Sequence, residues 1–405
     1  MEWKWCAWIL ILAVALAAPA AWAQTQPPGT FGTIVVFRAD ANLARGAADY
    51  VPDDRAAANP PAWGYLDRGV AGTVQSLERA HGFLSDNVYS AALRGFSAYL
   101  TPQQMADLQK DPRIAYIEED GEAHTAAQTL PWGVDRIDAD LSSTRAGDGT
   151  GAVTGVNLYV LDTGVDATHP DLNVVASVNF AYGPNTDCNG HGTNVAGIAA
   201  ARDNDSYVVG VAPGAPITSV RVLGCGGFGF WSMIIKGIDW VTANASKPAV
   251  ANMSIVGGVR ETVDQAVRNS AASGVLYAIA AGNNAADACR TSPGRTGAGA
   301  TNGIVTMAAT DQNDQEASFS NFGPCVDLWG PGVSILSTRN GGGTSVYSGT
   351  SQATPHAAGT AVLYLAAHPT ASPANVENAL KRTSTATGTF SKDGRAIRLV
   401  YAGRF

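Results

Sequence analysis

The stretch VNLYVLDTG (Val156–Gly164) decides the fold. Its first six residues are mostly apolar and then give way to Asp162 and Gly164, as in a strand covered on both faces that ends at a turn. Runs of the same kind recur at Ile217–Leu223, Val250–Ile255, Val275–Ala280 and Ile304–Ala308. Helical segments fall among them, at Val195–Ala201, Trp231–Ala245, Thr262–Ala272 and Thr354–Ala367. Strand alternating with helix predicts an α/β architecture: a parallel sheet flanked by helices, with its site at the carboxyl ends of the strands. Asp162 is then a carboxylate at such an end.

The whole chain has 405 residues, 46% of them hydrophobic and 15% charged, enough apolar matter for one large core or two and too much for a disordered chain. A net charge of −8 argues against nucleic acid as a partner, since that requires a basic face. Residues 1–23 read as a secretory signal peptide: Lys4, an apolar run from Cys6 to Ala18, and an Ala21-Trp22-Ala23 cleavage site before Gln24, although Glu2 weakens the basic start. No later segment reaches membrane-spanning length, so a secreted protein without a membrane partner is expected. Cys6 leaves with the signal. Cys188, Cys225, Cys289 and Cys325 remain, with no C-x-x-C spacing, and an oxidising compartment favours two structural disulfides out of three possible pairings.

Ahead of the alternating region lies a smaller pattern. Strands are predicted at Thr30–Phe37, Ala91–Leu100 and Arg113–Glu119, with helices over residues 68–80 and from Pro102, which follows the capping Thr101. Residues 40–63 read as a loop or insertion, and Asp120–Gln128 as a linker. The expectation is a small α+β, ferredoxin-like βαββαβ unit.

Three short segments carry chemistry. Asp162 ends a strand, His191 stands between two glycines in NGHGTNVAG (Asn189–Gly197), and Ser351 opens a helix in SGTSQATPH (Ser348–His356). Alone, each has a plainer explanation: a turn carboxylate, a structural histidine, a helix-capping serine. Together they supply a nucleophile, a proton carrier and an orienting acid in the chain order Asp, His, Ser.

That order and the blocks DTGVDATHPDL (Asp162–Leu172), HGTNVAG (His191–Gly197) and GTSQATPHAAG (Gly349–Gly359) resemble the subtilases, and within them the proteinase K and aqualysin branch. Residues 81–119 are similar to the inhibitor I9-type propeptide of that group. The resemblance implies residues 24–125 as a propeptide that folds the enzyme and blocks its cleft, and residues 126–405 as a subtilisin-like catalytic domain. It implies Ser351 as nucleophile, His191 as general base and acid, Asp162 as orienting acid, and Asn283 in the oxyanion hole, with Asn284 as runner-up. It also implies a substrate cleft built from Gly227, Gly229, Trp231, Ser254, Ile255, Val256, Gly257, Ala280 and Gly282, disulfides Cys188–Cys225 and Cys289–Cys325, and structural calcium at Asp327 with carbonyls near Asn302 and Ile304. Asp135, Asp138 and Asp140 are candidates for a second calcium site. Catalysis needs no cofactor on this reading. The partners are protein and peptide substrates and the chain's own propeptide as intramolecular inhibitor, and the enzyme is a monomer. With no acid in the cleft segments, apolar or aromatic P1 residues are expected.

Three positions depart from the family pattern: Val256 stands where glycine is usual, Asn194 replaces a histidine, and Gln352 replaces a methionine beside the nucleophile. Losing that thioether predicts resistance to peroxide. Two other readings exist. An α/β-hydrolase esterase fits Gly349-Thr350-Ser351-Gln352-Ala353 only partly, and needs its acid and histidine after the serine, where only His356 and His368 follow. An inactive binding homologue would leave the complete triad unexplained.

Overall fold

A computed structural model describes residues 29–43, 67–120, 128–297, 299 and 301–405. The signal peptide, most of the 40–63 segment and the proposed processing point lie outside the described residues. The chain divides into two compact units, Met1–His124 and Thr125–Phe405.

The first unit runs β1 (Phe31–Phe37), α1 (Arg68–His81), β2 (Ser85–Tyr89), β3 (Gly95–Leu100), α2 (Pro102–Leu108), β4 (Ile114–Glu119). Its sheet has the order β2-β3-β1-β4 and is antiparallel throughout. The Asp67 side chain caps α1, and Thr101 with Gln104 forms a capping box on α2. Val35, Phe37, Val74, Leu77, Phe96 and Leu100 close its own core. The βαββαβ expectation holds, with β2 as a strand that the sequence reading did not separate.

The second unit opens with the short helix α3 (Trp132–Arg136) and β5 (Asn157–Asp162), followed by β6 (Val174–Asn179), α4 (His191–Ala200), β7 (Ile217–Arg221), α5 (Trp231–Asn244), β8 (Ala249–Met253) and β9 (Gly257–Gly258). Next come α6 (Glu261–Ala272), β10 (Val275–Ala280), β11 (Thr291–Ser292), β12 (Ile304–Thr310), β13 (Leu328–Pro331), β14 (Ile335–Thr338) and β15 (Thr344–Tyr347). The chain ends with α7 (Thr350–Ala367), α8 (Pro373–Thr383), β16 (Thr385–Phe390) and β17 (Ala396–Leu399). Nine strands form one sheet in the order β16-β17-β13-β12-β10-β8-β5-β7-β6. All its pairings are parallel except β16–β17 at one edge.

The unbroken apolar runs follow from burial on both faces. Leu158 and Val160 of β5 pack with Val195 and Ala199 of α4 and with Ala358 and Val362 of α7. Their neighbours Tyr159 and Leu161 pack on the other face, with Ile234 and Ile238 of α5 and Val263 and Val267 of α6. Each of these Val, Leu and Ile side chains contributes about 1.5–3 kcal/mol by leaving water. The residues after Gly388 are integral to the fold: β17 pairs with β13, and Phe405 meets Tyr364 edge-on.

Candidate active site

Asp162 is the last residue of β5 and fully buried. Its Oδ1 accepts from the Thr163 backbone N–H at 2.7 Å and from His191 Nδ1 at 2.8 Å. Gly192 makes this approach possible: a Cβ there would lie 2.0 Å from Gly164 O and 3.1 Å from Asp162 Cβ. His191 keeps a quarter of its side-chain surface open (25%) and lines the cleft. Burial pulls the imidazole pKa down, but the charge and hydrogen bond of Asp162, with the charge of Asp187, outweigh it and hold the pKa above the ordinary histidine value.

Asp187 escaped the sequence reading. Its Oδ1 accepts from Asn189 N (2.9 Å), Gly190 N (2.8 Å) and Thr163 Oγ1 (3.0 Å), and its Oδ2 from Thr193 N (2.9 Å) and Thr193 Oγ1 (2.6 Å). One carboxylate thus welds the Asp162 turn to the start of α4. The only sequence signal was an Asp two residues before Asn189-Gly190, a turn pattern. Arg221, paired in register with Asp162, was also missed: its buried guanidinium donates to Thr163 O, Pro184 O and Tyr182 O and reaches both sulfurs of the Cys188–Cys225 disulfide.

Ser351 is the second residue of α7. Pro355 has no N–H, so the carbonyl four residues earlier, that of Ser351, lacks its helical partner. Ser254 Oγ donates to it instead at 2.9 Å, and Ser351 Oγ donates to Ser254 O at 3.3 Å. In this state the hydroxyl is therefore turned to Ser254, and a rotation about its Cα–Cβ bond redirects it. Asn283 is oriented from the same helix: its Oδ1 accepts from Thr350 N (2.8 Å) and Thr350 Oγ1 (2.9 Å), which turns Nδ2 away from them. A Cβ on Gly349 would lie 3.3 Å from Asn283 Nδ2 and 3.5 Å from Ser351 N, so the glycine leaves open the space that both donors border. The runner-up Asn284 is tied through its backbone N–H to Asn321 Oδ1 instead.

A cleft of about 420 Å³ is bordered by His191 and Ser351. His191, Ser351, Gly227, Gly229, Trp231, Ser254, Ile255, Val256 and Gly257 line it. Ala280 and Gly282 do not: both are buried, and Val256 Cγ2 stands 3.1 Å from where a Cβ on Gly282 would be. The implied pairings Cys188–Cys225 and Cys289–Cys325 are both formed.

The family model "Subtilase family" matches residues 154–396, and "Peptidase inhibitor I9" matches residues 65–126. The chain belongs to the subtilase family. Among curated relatives, an extracellular serine proteinase of Thermus sp. (strain Rt41A) is 44% identical over 308 residues, covering 73% of this chain and 72% of that protein. Alkaline serine exoprotease A of Vibrio alginolyticus is 40% identical over 351 residues, covering 82% of this chain but 63% of the longer Vibrio protein. A crystal structure of a cold-adapted subtilisin-like serine proteinase superposes with a TM-score of 0.59 at 39% identity, covering 67% of this chain and 98% of that one. The chain is thus a subtilisin-like serine endopeptidase carrying an inhibitor I9 domain.

The calcium expectation needs correction. Asp327 gives Oδ1 to Lys381 Nζ at 2.7 Å and Oδ2 to Thr306 N at 2.8 Å. Near Asn302, the Asn302 and Gly303 N–H groups donate to Glu377 Oε2, each at 2.7 Å. Ammonium and amide hydrogens therefore take the oxygens that a calcium ion would need, and the residues do not fit one. Asp135, Asp138 and Asp140 do not converge into a carboxylate cluster: among the described residues no group of three or more His, Cys, Asp or Glu is placed to hold a metal.

Proposed function

We propose that this subtilase is made as a secreted, self-processing zymogen: a signal peptide at 1–23, an inhibitory propeptide at 24–125, and a monomeric endopeptidase at 126–405. In the proposed reaction Ser351 Oγ attacks the scissile carbonyl while its proton passes to His191 Nε2. The charge of Asp162 holds the Nδ1–H tautomer and stabilises the imidazolium. Asn283 Nδ2 and the Ser351 N–H receive the oxyanion. His191 then protonates the leaving amine, and water, deprotonated by the same imidazole, hydrolyses the acyl-enzyme. The chemistry uses protein groups alone and needs no cofactor. An extended substrate would lie as an added strand between Gly227–Gly229 and Ser254–Gly257, with an apolar or aromatic P1 residue.

The observation that carries this reading is the 2.8 Å bond from His191 Nδ1 to buried Asp162, formed beside Ser351 in one cleft. The test is intact mass of secreted wild-type and Ser351→Ala protein. A wild-type product starting near Ala126, with the variant retained as proprotein, is the expected result. Identical processing of both would assign the cut to another protease, and no processing of either would overturn the zymogen.

A further inference from the structure

Two of the three departures from the family pattern touch each other. Asn194 lies on α4, one turn after His191, and Gln352 lies on α7, directly after Ser351. Both side chains are buried, at 0% and 2% exposure. Gln352 Nε2 donates to Asn194 Oδ1 at 3.2 Å. Asn194 Nδ2 donates in turn to the Ser345 carbonyl at 3.4 Å and Ser345 Oγ at 3.3 Å. Ser337 Oγ donates to the Asn194 carbonyl at 2.7 Å, which holds the α4 backbone at this residue to the β14–β15 hairpin leading into α7.

The order of these bonds fixes both amides. The Ser345 carbonyl can only accept, so Asn194 must present Nδ2 to it and Oδ1 to Gln352. Gln352 must then present Nε2 to Asn194, which directs Oε1 the other way. That oxygen lies 2.9 Å from the point where a Cβ on Gly349 would be, the space bordered by Asn283 Nδ2 and the Ser351 N–H. A buried amide deprived of its partner keeps its desolvation cost, so each residue accounts for the other: replacing one alone strands the second.

We propose that Asn194 and Gln352 form a positioning pair that ties the helix bearing the general base to the helix bearing the nucleophile, and so sets the separation of His191 and Ser351. This rests on the catalytic reading given above. Neither side chain touches the reacting atoms; they act through the residues beside them, where a displacement of about 1 Å can cost up to two orders of magnitude in rate.

The test is a double-mutant cycle with Asn194→Leu, Gln352→Met and the double variant, all apolar and of similar volume to the residues they replace. Rates are normalised to sites titrated with a sulfonyl fluoride, so partial misfolding does not enter. Each single variant is expected to lose about tenfold in kcat at unchanged KM, and the double variant to lose no more than either single one. The pH midpoint of kcat/KM should stay put, because the Asp162–His191 bond is untouched. Unchanged kcat per titrated site in both single variants, or losses that multiply in the double variant, would overturn the pair. Turnover by the wild type that is lost in Ser351→Ala tests the underlying reading separately; a wild type without turnover would overturn both.

Discussion

Lys381 Nζ lies 2.7 Å from Asp327 Oδ1 and 2.5 Å from Glu377 Oε1, so an ammonium group joins two carboxylates that are themselves almost wholly buried. The lysine serves this spot as a built-in cation. Chelation should therefore leave the thermal midpoint of Ser351→Ala protein unchanged. Lys381→Met should lower stability by about 3–5 kcal/mol, because it leaves buried charge uncompensated. A chelator-sensitive wild type together with a neutral Lys381→Met would contradict this.

The pH profile follows from the raised His191 pKa. The general base must be neutral, so kcat/KM should fall as pH drops through a midpoint above the ordinary 6.5. Asp162→Asn removes the charge that raises it. The midpoint should then move downward while kcat falls by about 10⁴-fold. A midpoint unmoved by the substitution would mean that another group controls the limb.

Asn283→Ala should lower kcat about 100- to 1000-fold at nearly constant KM, the cost typical of one oxyanion donor. Asn284→Ala, whose parent residue is linked to Asn321 through its backbone, should cost less than tenfold by the same reasoning. Steady-state kinetics on one peptide amide decides between them.

Val256 is 37% exposed and lines the cleft, in the segment on which the proposed reading seats the subsite for the P1 side chain. It should narrow that subsite. Val256→Gly is expected to raise the kcat/KM ratio of P1 Phe over P1 Ala substrates by at least about tenfold. An unchanged ratio would remove Val256 from the subsite.

Burial pushes the His356 imidazole down to about 4, with Nδ1 bonded to the Gln352 carbonyl. The folded state then takes up its proton later than the unfolded chain, whose histidine titrates near 6.5. The stability this group lends is complete above 6.5 and is lost as pH falls towards 4, by about 3 kcal/mol. Urea midpoints of Ser351→Ala protein across that window should fall, and should fall less in a His356→Gln background.

The proposed catalytic residues were legible because together they sit in local patterns that little else explains: an acid ending an apolar run, a histidine between glycines, a serine opening a helix. The five central strands were legible because burial on both faces leaves an unbroken apolar run. The strand Val174–Asn179 at the sheet edge, half exposed, and Thr385–Phe390, made largely of threonine and alanine, carry no such run and escaped notice. Asp187 and Lys381 escaped for another reason. Their meaning lies in partners that only the fold assembles, and Lys381, four residues after Glu377, reads in sequence as an ordinary solvated helix pair.

The sheet order also dictates a timetable. Leu158 of β5, an interior strand, pairs with Ile217 on one side and Val250 on the other, so a nascent chain cannot complete that ladder until β8 has been made. Of this sheet's pairings only β16–β17 is an antiparallel hairpin, and it comes last. Such a high contact order makes spontaneous assembly slow. The amino-terminal unit, whose core residues all lie between Val35 and Ile117, owns a complete core before the first strand of the catalytic sheet is synthesised. It is therefore the one folded body available throughout the long interval in which the catalytic half of the chain is waiting for its partners.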